Sequence, residues 1–568
     1  MQRLSSPRLL AALAGAALLI AGAISARADT ASADTARADT ASADTASTPA
    51  RLPAFPLERL EPGLEGYGLT EGPSERIESF SARVLAVQES FGPGAITLVL
   101  IETGGSLIDA AGGVAAGMSG SPVYLELDGE TALLGAIGYV FPDSDGNLAL
   151  VTPIESMRAQ ARESGAAPNL PSGALAVSTP VLVSGLGERA MALLESEVLS
   201  LATLQLDPLR SGSAGAATGS TPAPEAGSAI AVALVRGDLD VAAIGTVTEV
   251  AGNELLALGH PFLGSGPASW GLAPATVTAI VPSRRVPFKL ANVSPESLGA
   301  VVSDGPAGVV GRLDVEPDLV PVTLTVDAAG RREVLHFEVA AHEQLWPVLS
   351  AVATLEGIDR VWRRVSEGSA KLAWEIELEG GPPLRLLEEV SSPADVALHA
   401  ALMAGAPLAL LARNPFEAAR PLAVQLVVEV DERRRDGELV EVLLESDEVI
   451  AGESLALLLR LQPWRRQGEV HALTVALPSE LDEVTELVVR GAAEPRDDEH
   501  EGGVDELILS YGELLTVLRE RSRSGDLVIE VRRPDGRWEL LERRTLPYIV
   551  RGVKWLTLEP REAEHDLD

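Results

Sequence analysis

Two small hydroxyl residues, Ser119 and Ser121, stand in the run Gly117-Met-Ser-Gly-Ser-Pro122, and β-prone residues follow at once. Glycines on both sides let the backbone reach conformations closed to other residues. Such a turn can hold a serine outward and aim neighbouring N–H groups at one point. Acyl transfer needs both an exposed nucleophile and an oxyanion hole. It also needs a base, and the chain has only seven histidines. One of them, His260, ends the apolar run Leu256-Ala-Leu-Gly-His-Pro-Phe-Leu263. Ser119 as nucleophile and His260 as general base, with adjacent backbone N–H groups as oxyanion hole, form a self-consistent expectation. It requires the hydroxyl and the imidazole to meet in one cleft open to solvent.

Each piece has a plainer reading. A Gly-Ser turn joins strands in many proteins, and a histidine at a strand end is often a hydrogen-bonded core residue. The acid that would complete a triad is left open. Asp304, in Val302-Ser-Asp-Gly-Pro-Ala307, and Asp240 lie in the histidine half, while Asp109 lies nearest the serine loop. An acid that orients an imidazole sits beside it, which favours Asp304 or Asp240. A serine–lysine pair has one candidate in this region, Lys289, because the other two lysines are Lys371 and Lys554. Its plainer reading is a stem packed on apolar surface. No metal is expected: there is no HExxH pattern, and Asp143-Ser-Asp-Gly-Asn147 lacks the bidentate acid of a calcium loop and reads as a hairpin turn. No phosphate-binding or dinucleotide fingerprint occurs, so no cofactor is expected.

The two motifs together resemble one family. Gly112-Gly-Val-Ala-Ala-Gly-Met-Ser-Gly-Ser-Pro-Val-Tyr124 with Leu134-Gly-Ala-Ile-Gly138 is similar to the serine region of the stage IV sporulation protein B peptidases. Ile244-Gly-Thr-Val-Thr248 with Ala257-Leu-Gly-His260 is similar to their histidine region. The resemblance covers roughly residues 55–345. It implies a trypsin-like double β-barrel endopeptidase acting on a protein or peptide substrate, with Ser119 as nucleophile, His260 as base and, by likeness to the trypsin-like nucleophile loop, the N–H groups of Gly117 and Ser119 as oxyanion hole. In that family the histidine motif comes first, whereas here the serine does, and no segment supplies the family's peptide-binding PDZ domain. A catalytic group is defined by position and not by chain order, so permuted half-domains would preserve the geometry.

The elements that must position these residues read as short strands broken by turns. Strands are expected at 80–88, 95–102, 122–127, 132–141, 177–183, 230–235, 241–250, 254–258, 275–281, 308–313, 320–326 and 334–339. Residues 61–68 read as turn-dense. A helix should start at Thr152-Pro-Ile-Glu155, with Thr152 as its cap, and run to about 164. The fold expected is mainly β: a trypsin-like double barrel over 52–368, in halves 52–210 and 230–345 joined by a flexible linker at 211–229. A helix near 344–367 closes it. A β-sandwich-like accessory domain over 369–494 and a small α+β region over 495–568, with an acidic tail, follow. The accessory domain is expected to offer a surface to a protein partner.

Composition sets the outer bounds. The chain has 568 residues with 82 acidic against 45 basic side chains, a formal charge of −37, which repels nucleic acid and excludes it as a partner. There is no cysteine, hence no disulfide, thiolate metal site or cysteine nucleophile. Arg3 and Arg8, the apolar run 9–24 and Ala26-Arg27-Ala28 read as a signal peptide over 1–28. Residues 29–51, with their Ala-Asp-Thr-Ala repeats, read as a disordered spacer. No stable membrane span is expected after cleavage, and the mature protein is expected to be extracytoplasmic. The alternative reading is a catalytically inactive peptidase fold serving as an envelope scaffold or peptide-binding protein.

Overall fold

The computed structural model describes residues 51–561, apart from 74, 89–95, 143, 145, 162–169, 202–205, 211–222, 284–285, 418, 420 and 497–509. The expected signal peptide, almost all of the spacer, most of the linker, two positions of the calcium-like turn and the acidic tail lie outside the described residues. Among the described residues no helix is long and apolar enough to cross a membrane. The chain forms two compact units. One runs to Pro321 and takes in Phe337–Leu345; the other comprises Val322–His336 and the chain from Trp346 onward.

The first unit holds two closed six-stranded barrels, the architecture of a trypsin-like double barrel. Alternation builds the first: in β2 (Arg76–Gln88), Phe80, Ala82 and Val84 point inward while their neighbours face out. With β1 (Glu65–Gly72), β3 (Leu98–Gly104), β4 (Pro122–Leu127), β5 (Glu130–Val140) and β6 (Leu148–Pro153), the order is β1-β2-β3-β6-β5-β4, and β4 returns onto β1. Its interior is aliphatic, with Val99, Ile101, Val123, Leu134, Ile137 and Val151 all buried. A short β7 (Leu175–Ala176) pairs with β5.

Strands β8 (Thr179–Ser184) and β9 (Leu206–Arg210) then lead to the second barrel. It contains β10 (Ala229–Gly237), β11 (Asp240–Ala251), β12 (Glu254–Ala257), β13 (Gly266–Val281), β15 (Gly299–Gly305) and β16 (Gly308–Arg312). The order is β10-β13-β15-β16-β12-β11, closed by β11 on β10. Strand β14 (Phe288–Val293) folds back on β13 as a hairpin. A shared apolar cluster containing Leu98, Leu133, Met157, Leu256 and Val310 packs the barrels together.

The second unit departs from the expected boundaries in two places. The helix Leu345–Trp362 was expected to close the barrels, but from Trp346 it belongs here: Gly357 packs on Leu324, Val326 and Leu335, and Gly405 packs against Pro347. The strands Gly368–Leu378, Leu384–Ser392 and Pro421–Asp431 form a sheet with Val322–Ala328. The sandwich is made of later strands. Asp436–Leu444, Ser454–Pro463, Glu469–Ala476 and Ile549–Arg551 face Glu448–Ile450, Thr485–Gly491, Asp526–Arg532, Trp538–Thr545 and Val553–Arg561 across one apolar core. Strands on either side of the boundary expected at 494–495 therefore pair directly.

Candidate active site

The Ser119 turn is tied to both barrels. Met118 N–H donates to Ala115 O (2.9 Å) and Ser121 N–H to Met118 O (3.0 Å), closing the turn. Gly120 N–H donates to Ile137 O (2.8 Å), and Ile137 N–H to Ser121 O (3.0 Å), fixing it to β5. Three of its carbonyls are taken by β11. Gly117 O accepts from Thr246 Oγ1 (2.9 Å), Ser119 O from the Thr246 N–H (2.8 Å) and Gly120 O from Thr248 Oγ1 (2.7 Å). Period-two alternation puts the 246 and 248 hydroxyls on one face of the strand, so Thr-Val-Thr is the spacing this task needs. Gly120 has φ of +93°, and a Cβ there would lie 1.9 Å from Thr246 O; only glycine fits.

His260 stands just past β12. Leu258 (φ +70°) and Gly259 (φ +68°) are consecutive left-handed residues that turn the chain off the barrel. A leucine in that conformation is strained by roughly 1 kcal/mol or more and must be held by its surroundings. The holding bond is Thr152 Oγ1 to Gly259 O, at 2.6 Å. This corrects the expected cap. The helix Ile154–Gln160 has no side-chain cap, and the Thr152 hydroxyl reaches across to the histidine turn instead.

The imidazole is 1 % exposed, and burial pushes its pKa down to about 4. Its Nδ1 lies 2.7 Å from Pro261 O. A carbonyl only accepts, so the proton sits on Nδ1 and Nε2 carries a bare lone pair. Nε2 has no hydrogen-bond partner. Ser119 is 0 % exposed, and its Oγ is likewise without a partner. Ser121 Oγ and Tyr139 OH complete a group of four such atoms on touching segments. Gly138 meets Gly259 closely, and the Tyr139 and His260 rings are 6.2 Å apart. No hydrogen bond joins Ser119 to His260, and neither reaches solvent, so the expected cleft open to solvent is not formed: the strands and turns of both barrels close over the two groups.

The other expected residues fall as follows. Asp304 is buried, and its carboxylate accepts from the N–H groups of Phe262 (2.7 Å), Leu263 (2.7 Å) and Ser265 (3.2 Å). Burial raises its pKa and these bonds oppose the rise. It shapes the loop after His260 and does not touch the ring through a hydrogen bond. Asp240 bonds Ser184 Oγ and the Gly237 N–H in a turn. Asp109 is exposed on the helix Ser106–Ala111. The Gly117 N–H, one of the expected oxyanion donors, is given to Ser178 O at 3.1 Å. Lys289 Nζ bonds Thr70 and Thr246, not Ser119. Sequence reasoning missed the roles of Thr246, Thr248 and Thr152 as donors to turn carbonyls and of the Pro261 carbonyl as the partner of His260. Among the described residues no three His, Cys, Asp or Glu side chains gather as metal ligands. No family model matches the chain, and no curated protein matches it.

Proposed function

We propose that the double barrel is a serine endopeptidase held in a closed resting form. Ser119 Oγ would attack a peptide carbonyl while His260 Nε2 takes its proton, forming the Oγ–C bond and an oxyanion. Collapse breaks the C–N bond as the imidazolium returns that proton to the leaving amine, and water then cleaves the acyl-enzyme in the same two steps. The observation that carries this reading is the pair of partnerless buried atoms, a hydroxyl and the bare nitrogen of a neutral imidazole, on touching segments. Buried polar atoms left without partners are uncommon enough in folded proteins to ask for a reason. The Pro261 carbonyl supplies the tautomer control that an acid gives elsewhere. Opening must free the Gly117 N–H from Ser178 O and admit substrate.

The second reading is a catalytically inactive peptidase fold serving as a scaffold. It is favoured by the sealing of both groups from solvent and by the occupied Gly117 N–H. Incubation of the full-length protein with a fluorophosphonate probe separates the two. The peptidase reading expects covalent label on Ser119, none in Ser119→Ala, and labelling slower by on the order of 10³-fold in His260→Ala. A well-folded wild type that takes no label at all supports the scaffold.

A further inference from the structure

Lys289 occupies an unusual place between the barrels. It is 0 % exposed, and its stem runs beneath Gly117, where an added Cβ would meet the lysine Cβ at 3.3 Å. Its Nζ donates to Thr70 Oγ1 on β1 (2.7 Å) and to Thr246 Oγ1 on β11 (3.1 Å). An amine with a proton to give obliges Thr246 to send its own proton onward, and the threonine does so, to Gly117 O. The main chain repeats the tie: Ala116 N–H donates to Pro287 O (2.7 Å) and Lys289 N–H to Ala116 O (3.0 Å). The nearby charged side chain is Glu71, also buried, whose carboxylate is held by the N–H groups of Ala229 and Val277 (2.8 Å each). Hydrogen bonds in such a row polarise one another, so a donor at its head strengthens the last bond of the row.

We propose that Lys289 is a positioning residue for the nucleophile turn, fixing the Gly117 peptide through the Thr246 hydroxyl. This rests on the peptidase reading of Ser119. A lysine that merely filled space would not need its nitrogen there, because a methionine stem would fill the same volume without burying an ionisable group. The amine is pushed down to about 7 by burial, with Glu71 pulling it upward, so the state of the row changes near neutral pH.

The test is the rate of fluorophosphonate labelling across pH 5.5–9 for wild type, Lys289→Met, Thr246→Val, Thr246→Ser and the Lys289→Met/Thr246→Val double variant. The inference expects the first two single variants to label at least tenfold more slowly, the double variant no more slowly than the worse single, and Thr246→Ser to stay within about twofold of wild type. Wild type shows an inflection near neutral pH that Lys289→Met lacks. Unchanged labelling in folded Lys289→Met, or multiplying losses in the double variant, overturns it. If wild type takes no label, the peptidase reading fails separately, and the positioning role is read by amide hydrogen exchange over residues 115–121. Faster exchange there in both Lys289→Met and Thr246→Val keeps it; unchanged exchange removes it.

Discussion

In the sandwich, Glu530 lies between two guanidinium groups, with Arg490 Nε at 2.9 Å and an Arg496 nitrogen at 3.1 Å, all three side chains largely buried. In the double barrel, Lys289 is buried more completely and meets two neutral hydroxyls, while His260 is buried with one ring nitrogen bonded to nothing. The first arrangement sets buried charge directly against opposite charge. The second keeps ionisable groups where their protons are weakly held. Pairing is what a structural charge requires; weakly held protons are what proton-transfer chemistry requires. The contrast separates a framework from a candidate mechanism within one chain.

The largest effect is expected from Lys289. Its pKa is lowered from 10.5 to about 7 when folded, so the unfolded chain binds more protons over that window. Stability from this group therefore rises with pH from about 7 to 10.5, by on the order of 5 kcal/mol at 1.36 kcal/mol per pH unit. Subtracting the denaturation curves of Lys289→Met from those of wild type at each pH isolates the term. A flat difference would mean that the amine is solvated. The sandwich supplies the counterpart. Glu530→Ala leaves two buried guanidinium groups facing each other, at roughly 3–5 kcal/mol of stability, with Ser119 labelling unchanged under native conditions. A change in labelling rate there would erase the distinction between the two regions.

His260 comes next, with the opposite window. Its folded pKa of about 4 lies below the ordinary 6.5, so the unfolded state takes up the proton first on acidification. Stability is intact above about 6.5 and is lost as pH falls to about 4, by on the order of 3 kcal/mol. In His260→Gln that part of the acid limb should vanish, which urea titrations between pH 4 and 7 would show. An unaltered limb would place the loss on other groups.

The barrels were legible because their walls alternate. The run 122–127 matches its strand end to end, and the strands expected at 230–235, 241–250 and 308–313 all formed with ends within one or two residues of those bounds. What escaped was the strands whose residues hide the pattern. Residues 61–68 read as turns because of their glycines, yet Gly66 and Gly68 lie within β1, where the missing Cβ at 68 leaves room for the Phe80 ring. Strands β6, β14 and β15 were missed as well, and β1 and β14 are the ones that carry Thr70, Glu71 and Lys289. The motif residues themselves were legible; the bonds that hold them were not. A threonine's partner 128 or 129 residues away, as for Thr248 and Thr246, is set by how two barrels meet, and no local pattern records that.

The smallest effect separates two readings of Thr152. As a helix cap, its loss would loosen the helix Ile154–Gln160. As the donor to Gly259 O, its loss would free the histidine turn. Thr152→Val preserves shape and removes the hydroxyl, leaving a buried carbonyl without that bond, at about 1–2 kcal/mol. Thr152→Ser restores the donor and should recover most of the difference. Amide exchange locates the damage: faster exchange is expected at 258–260, with the helix unaffected. Because Leu258 is held left-handed only by its surroundings, releasing Gly259 lets the strained turn relax and moves the imidazole. Labelling of Ser119 should then slow several-fold in Thr152→Val, whereas a cap acting on the helix alone would leave the labelling rate where it was.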